Sequence, residues 1–191
     1  MTRAEKKIKT RREVFKAAIK LFNVHGIEKT KISDIAKEAH VSVGTFYVHF
    51  KSKEDIISAI YYEDFNNFMN FNIQQVEKRN LNLKEILLEI GILELRFAKK
   101  VGLEITTAAF IANLQTNIEM PGNHFGKRTF SLKIKKMLSK LAVGTSKDSE
   151  ILFQEFETIV RGTMLTWCFS NGAVNMVSLG TPLLENYLNN L

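Results

Sequence analysis

An all-α fold is the expectation for this 191-residue chain, and three observations carry it. Apolar residues recur at three- and four-residue spacings along most of its length. Residues beyond 53 give no strand signal, and the whole chain holds only two prolines. Serine, threonine and glycine stand where helices need caps and stops. The expected architecture is about nine helices: an N-terminal three-helix domain at 1–53 and a helical domain at 54–191.

The elements follow in order. Residues 1–9 form a basic arm expected to fray. Thr10 and Glu13 have the spacing of a capping box and place the first helix at 11–25, with Gly26 as its stop. Ile32, Ile35, Ala36 and Ala39 share one face of a second, short helix, and His40-Val41-Ser42 interrupts it. Ser42 can cap a third helix at 43–50, which Phe46 and Phe50, four apart, can anchor to a core. A helix held by one face can lie in a DNA major groove by the other.

Ser52, with Asp55 three residues on, starts a long helix whose stripe of Ile57, Ile60, Tyr61, Phe65, Phe68 and Met69 runs to about Gln75. Helices follow at 83–97 and 105–114, with Gly102 as the joint between them, and Met120-Pro121-Gly122-Asn123 reads as a turn. Phe130, Ile134, Met137, Leu138 and Leu141 mark another amphipathic helix, ending at Gly144. Lys133, Lys135, Lys136 and Lys140 form its other face, read as solvated in preference to a second DNA-contacting patch. Two helices close the chain, one at 149–169 and one starting at Thr181 with Pro182 in its first position.

Charge divides the chain in the same place. Residues 1–53 hold thirteen Lys/Arg against five Asp/Glu, a balance of +8, whereas the other 138 residues hold fourteen against fifteen. That split is the electrostatic footprint of a nucleic-acid-binding module joined to a neutral one. Cys168 is the sole cysteine, so neither an intrachain disulfide nor a cysteine zinc site is expected. Neither cofactor nor metal is implied. The charged N-terminus and the lack of a long apolar run point to a cytoplasmic protein. Catalysis is not expected either: His25, His40, His49 and His124 are scattered, and no Ser or Cys nucleophile stands beside a base and an orienting acid.

Residues 10–60 resemble the DNA-binding domain of the TetR family of bacterial transcriptional repressors. The family's opening helix, I-x-x-A-A-x-x-L-F-x-x-x-G, is matched by the run from Val14 to Phe22 and Gly26. Its T-T-hydrophobic-x-x-I-A is matched by Thr30-Lys31-Ile32-Ser33-Asp34-Ile35-Ala36. Its A-G-V-S-x-G-T-hydrophobic-Y-x-H/Y-F-x-S-K-E is matched from Ala39 to Glu54. Two departures stand out. Lys31 replaces a capping threonine, so Thr30 is expected to cap the second helix or Ser33 to start it. His40 replaces the glycine of the turn, a position that the resemblance implies has a positive φ, which glycine adopts freely and histidine at some cost.

The resemblance implies a ligand-responsive repressor that binds a palindromic operator as a homodimer and is released by a small apolar or amphipathic effector. A constitutive architectural DNA-binding protein, or an activator of the same fold, is the alternative. Residues matching Tyr47, His49 and Lys53 hold the DNA backbone in the family, and those matching Val43, Gly44 and Thr45 approach base edges. Thr30, Lys31 and Ser42, at the starts of the two helices, complete the expected DNA-facing set. Phe65, Phe68, Met69, Phe97, Phe110, Asn113 and Trp167 are the expected lining of an effector cavity. The last two helices are expected to pair across a two-fold axis through Ile159, Gly162, Thr163, Thr166, Ser170, Leu184, Tyr187 and Leu188.

Overall fold

The computed structural model describes residues 2–119, 129–143 and 148–191. The turn expected at Met120–Asn123 and the helix end at Gly144 lie outside them. Among the described residues the chain is all α-helical, with ten α-helices and no strand. It divides into two compact units. The first runs to Glu63 and includes Val101–Leu114; the second comprises Asp64–Lys100 and Gln115–Leu191. The boundary expected after Lys53 therefore falls inside the first unit. No helix among the described residues is long and apolar enough to cross a membrane.

In the first unit, α1 (Arg3–His25) is longer than expected. Thr2 accepts from the Glu5 amide and the Glu5 carboxylate accepts from the Thr2 amide, so a capping box eight residues upstream wins over Thr10 and Glu13. The basic arm is thus helical. Gly26, at φ 82°, ends the helix as foreseen. Helix α2 (Ile32–Glu38) takes Lys31 as its N-cap, correcting both expected starts. Lysine has no side-chain acceptor to offer, and the Asp34 carboxylate instead accepts from the Lys31 amide. His40 adopts φ 55°, the left-handed turn that the family's glycine at this position implies. Helices α3 (Val43–His49) and α4 (Lys53–Ala59) start at Ser42 and Ser52, whose hydroxyls accept from the amides of Thr45 and Asp55. Val14, Ala18, Phe22, Ile35, Phe46 and Phe50 make the core of this unit, with the Phe50 ring 5.1 Å from Phe15 and 5.7 Å from Phe46.

The expected helix to Gln75 is not continuous. A π-helical turn at Ile60–Asp64 separates α4 from α5 (Phe65–Glu77), which gives ten α-helices where nine were foreseen. On α6 (Leu83–Val101), the Asn82 side chain accepts from the Glu85 amide and the Glu85 carboxylate accepts from the Asn82 amide. On α7 (Leu103–Glu119), the Glu104 carboxylate accepts from the Ile27 amide at 2.6 Å, and the Thr106 hydroxyl accepts from Tyr61 in a buried pair.

In the second unit, α8 (Thr129–Leu141) packs between α5 and α9 (Ser149–Phe169), and α9 packs on α10 (Met176–Asn189). Two of the four α8 lysines are paired, Lys133 with Glu77 and Lys135 with Glu150, while Lys136 and Lys140 are exposed. Helix α10 starts earlier than expected. Asn175 accepts from the Ser178 amide as N-cap, which leaves Pro182 in the helix interior, on the exposed side, at the loss of one backbone hydrogen bond.

Candidate nucleic-acid interface

The first unit places six of the nine residues expected to face DNA on or directly before α3. Seven residues are too few to persist as a helix alone. This one is fixed by its anchors Phe46 and Phe50, which have almost no exposure, and by chemistry at its ends. Ser42 closes the N-terminal end, and its hydroxyl also lies 2.9 Å from that of Thr45. At the other end Arg11 donates to the carbonyl of His49 at 2.6 Å.

With Phe46 and Phe50 turned inward, the opposite rows are free. Val43 is 41% exposed, Tyr47 54% and Val48 72%. Gly44 is exposed, has an ordinary helical backbone, and a Cβ there would meet only the Ser42 hydroxyl at 3.7 Å. The fold therefore does not require glycine at this position. Thr45 and His49 are half-buried. Burial holds the His49 imidazole below its usual range, with the Arg11 and Lys7 charges acting in the same direction. Its Nδ1 has no hydrogen-bond partner among the described residues. Val48 was missed by the sequence reading: it lies one turn after Gly44 on the outward row, but an aliphatic side chain gives no chemical signal of a contact.

The remaining three residues are placed differently from one another. Lys31 is exposed at the start of α2. Thr30 is 2% exposed, and its hydroxyl donates to the carbonyls of Gly26 and Leu21, so its side chain holds the end of α1 instead of facing DNA. Lys53 is half-buried, with its ammonium donating to the carbonyls of Ile27 at 2.8 Å and Glu28 at 3.3 Å. It clamps the loop between α1 and α2, whereas Lys51 beside it is exposed.

The residues expected to line an effector cavity are also divided. Phe65, Phe68, Met69, Phe97 and Trp167 belong to the second unit, and Phe110 and Asn113 to the first. Phe65 stacks edge-on against Phe97 at 5.0 Å and Phe130 at 5.1 Å, and with Met69 these side chains form a packed core. Phe68 is half-buried, 5.2 Å from Phe97, with the Lys100 ammonium 5.6 Å from its ring. Trp167 is buried, and the Asn113 amide donates back to the Ala109 carbonyl.

The α9–α10 set divides between an inner and an outer face. Thr163, Leu184 and Leu188 are buried within the chain, which removes them from an exposed interface. Leu184 fills the space left by Gly91, where a Cβ would lie 2.6 Å from it, and Thr163 packs against Gly180. Tyr187 is half-buried and donates to the Leu152 carbonyl; burial and the nearby Glu155 hold its phenol well above the usual range, so it stays protonated. Gly162 and Thr166 are exposed, Ile159 and Ser170 half-buried, and nothing lies within 4 Å of a Cβ built on Gly162. Around them Ile151, Leu183 and Phe169, the last 88% exposed, extend an apolar outer face that the sequence reading missed. Open hollows of about 390, 440 and 520 Å³ run along this face beside Ile159, Gly162 and Ile151.

A family model described as bacterial regulatory proteins of the tetR family matches residues 14–60. Over 176 residues, 91% of each chain, the sequence is 22% identical to the fatty acid metabolism regulator protein of Bacillus subtilis. It is 40% identical over 52 residues to the HTH-type transcriptional regulator AcrR of Shigella flexneri, 27% of this chain and 24% of that one. The fold matches the crystal structure of the transcriptional regulator FadR from Bacillus subtilis in complex with stearoyl-CoA, with a TM-score of 0.60 and 19% identity over 94% of this chain and 98% of that one. The fatty acid degradation regulator FadR from Bacillus halodurans gives a TM-score of 0.61 at 18% identity over 95% and 96%.

Proposed function

We propose that this chain, which belongs to the TetR family of bacterial transcriptional regulators, is a repressor that binds a palindromic operator as a homodimer and releases it when an acyl-chain effector binds. The observation that carries the DNA half is the outward face of α3. Tyr47, Val43, Gly44 and Val48 stand clear of the unit on a helix capped at both ends, in the part of the chain that holds the basic excess. Tyr47, His49 and Lys53 take phosphates, which fixes register without reading sequence. Val43, Gly44, Thr45 and Val48 approach base edges, where an apolar side chain reads a thymine methyl.

The dimer forms through the outer face of α9 and α10, by Ile159, Gly162, Thr166 and Ser170 with Phe169 and Leu183. Its two-fold axis makes the operator palindromic. The effector is a small apolar or amphipathic molecule, and a long-chain acyl-CoA is the specific candidate. Support comes from the whole-length similarity to a fatty acid metabolism regulator and from the stearoyl-CoA complex of a protein with this fold.

Operator release titrated with stearoyl-CoA, followed by polarisation of labelled DNA with Trp167 fluorescence in parallel, tests this reading. Release and a tryptophan change are expected in one concentration range. Linkage then requires operator binding to weaken effector binding by the same factor. If acyl-CoAs of every chain length leave operator affinity unchanged, the effector class is wrong. If no hydrophobic ligand changes it, the constitutive architectural alternative stands.

A further inference from the structure

Arg11, from the middle of α1, lies at a junction that neither its charge nor its place in the first helix foreshadows. Its Nη1 donates to the carbonyl of His49, the last residue of α3. Its Nε and Nη2 form a two-pronged pair with the Glu63 carboxylate at 2.8 and 2.6 Å. The flat guanidinium lies 4.2 Å from the centre of the Phe50 ring and 5.4 Å from that of Phe15. The last carbonyls of a helix lack intrahelical donors and carry the negative end of its dipole, so a cation there both satisfies and stabilises them. Three donors and one face of Arg11 are thus committed within the unit.

Glu63 is the other half of the junction. It sits in the π-helical turn Ile60–Asp64, and the boundary between the two compact units falls directly after it. A π turn carries one residue more than an α turn. Its return to α geometry would rotate the residues on one side of it by about 100° relative to the other. That rotation would swing the Glu63 carboxylate off Arg11. The turn is held in place within the unit by the buried hydrogen bond from Tyr61 to Thr106.

We propose that Arg11 is a positioning residue for α3: it sets the pose of the helix through the His49 carbonyl, while the π turn sets the pose of Arg11 through Glu63. The consequence for DNA rests on the reading of α3 as the contacting helix. The state of the turn then decides how α3 is presented, without Arg11 touching a phosphate or a base.

The test uses the full chain with Arg11→Gln and Glu63→Gln. Operator affinity is measured across a salt series, and amide hydrogen exchange over residues 43–50 is followed without DNA. Arg11→Gln should weaken operator binding by about tenfold, the scale of a charge-assisted hydrogen bond, with an unchanged slope of log K against log salt. Glu63→Gln discriminates most sharply. It removes a negative charge, which by simple electrostatics would strengthen DNA binding, whereas loss of positioning weakens it. Both variants should speed exchange over 43–50. A salt slope lower by about one in Arg11→Gln would make Arg11 a phosphate contact and overturn the proposal. So would a Glu63→Gln protein that binds as tightly as the natural one with unaltered exchange. Should Arg11→Gln fail to fold, Glu63→Gln decides alone, since the Glu63 side chain is half exposed. If the natural chain selected no DNA sequence, the functional reading would fall. Exchange over 43–50 would still decide the positioning: faster exchange supports it, and unchanged exchange overturns it.

Discussion

Helix α3 and the pair α9–α10 are both amphipathic, but they are held by different means. Helix α3 has seven residues and two buried anchors, and it depends on individual bonds: Ser42 at one end, Arg11 at the other, and Lys53 and Thr30 on the loop that precedes α2. Helix α9 has twenty-one residues, and its inner side is a continuous stripe of Leu152, Phe153, Phe156, Val160, Met164 and Trp167. A short element fixed by few contacts is sensitive to single atoms. A long element fixed by area tolerates a change in one contact but is sensitive to which row of its surface is filled.

The largest expected effect separates the anchors from the faces. Phe46→Ala should cost about 3–5 kcal/mol of stability, because it empties a fully buried site at the base of α3. Leu184→Ala should cost about 2–5 kcal/mol for the same reason, since Leu184 fills the space beside Gly91. Chemical denaturation measures both. If Leu184→Ala instead left stability intact and dissociated a dimer, the division of α10 into inner and outer rows would be wrong.

The outer row should behave in the opposite way. A Cβ at position 162 has nothing within 4 Å of it and the surface there is open, so the Gly162→Leu protomer should fold normally. In the proposed symmetric interface Thr166→Arg would bury an unpaired charge, which is strongly destabilising to association. Sedimentation at micromolar concentration should show monomers for both variants. A dimer that survives both places the interface elsewhere.

Lys53 tests whether one side chain serves both loop and ligand. Loss of its bonds to Ile27 and Glu28 should lower stability by about 1 kcal/mol in Lys53→Ala, at the modest end for a half-exposed charged donor. Affinity for specific and random DNA should fall alike, with a salt slope lower by about one. An unchanged slope would leave Lys53 as a loop clamp alone.

Gly44→Ala should split stability from binding. A glycine inside a helix costs about 0.5–1 kcal/mol relative to alanine, and the added methyl meets only the Ser42 hydroxyl. The variant should therefore melt higher while binding its operator more weakly. Unimpaired binding would remove the close approach at this position.

The smallest effect concerns pH. The folded chain holds His49 below its unfolded value, so in mildly acidic solution the unfolded chain binds more protons. The contribution is fully present above a pH of about 6.5 and is lost as pH falls toward the depressed folded value. A shallow loss of stability below neutrality, absent in His49→Gln, is the expected result.

The α3 segment was largely legible because its signals are local. Capping at Ser42 and Ser52, the anchors at Phe46 and Phe50 and the positive φ at His40 each depend on residues within one turn. Local chemistry also misled where two solutions compete: Thr10–Glu13 and Thr2–Glu5 both have capping-box spacing, and the upstream pair is formed because nothing breaks the helix between them. At α10, Pro182 looked like a first position, yet Asn175 caps the helix and Pro182 is carried on its exposed side.

By itself the sequence determined the all-α class, the charge division and, Val48 excepted, the residues that α3 turns outward, because helix periodicity, capping and formal charge are properties of near neighbours. Tertiary structure alone decided that Thr30 and Lys53 hold a loop, that Leu184 and Leu188 point inward, that the fourth helix passes through a π turn and that Arg11 reaches both His49 and Glu63. The last of these spans 38 and 52 residues of chain. Such contacts depend on which helix lies beside which, and periodicity within a single helix carries no record of its neighbours.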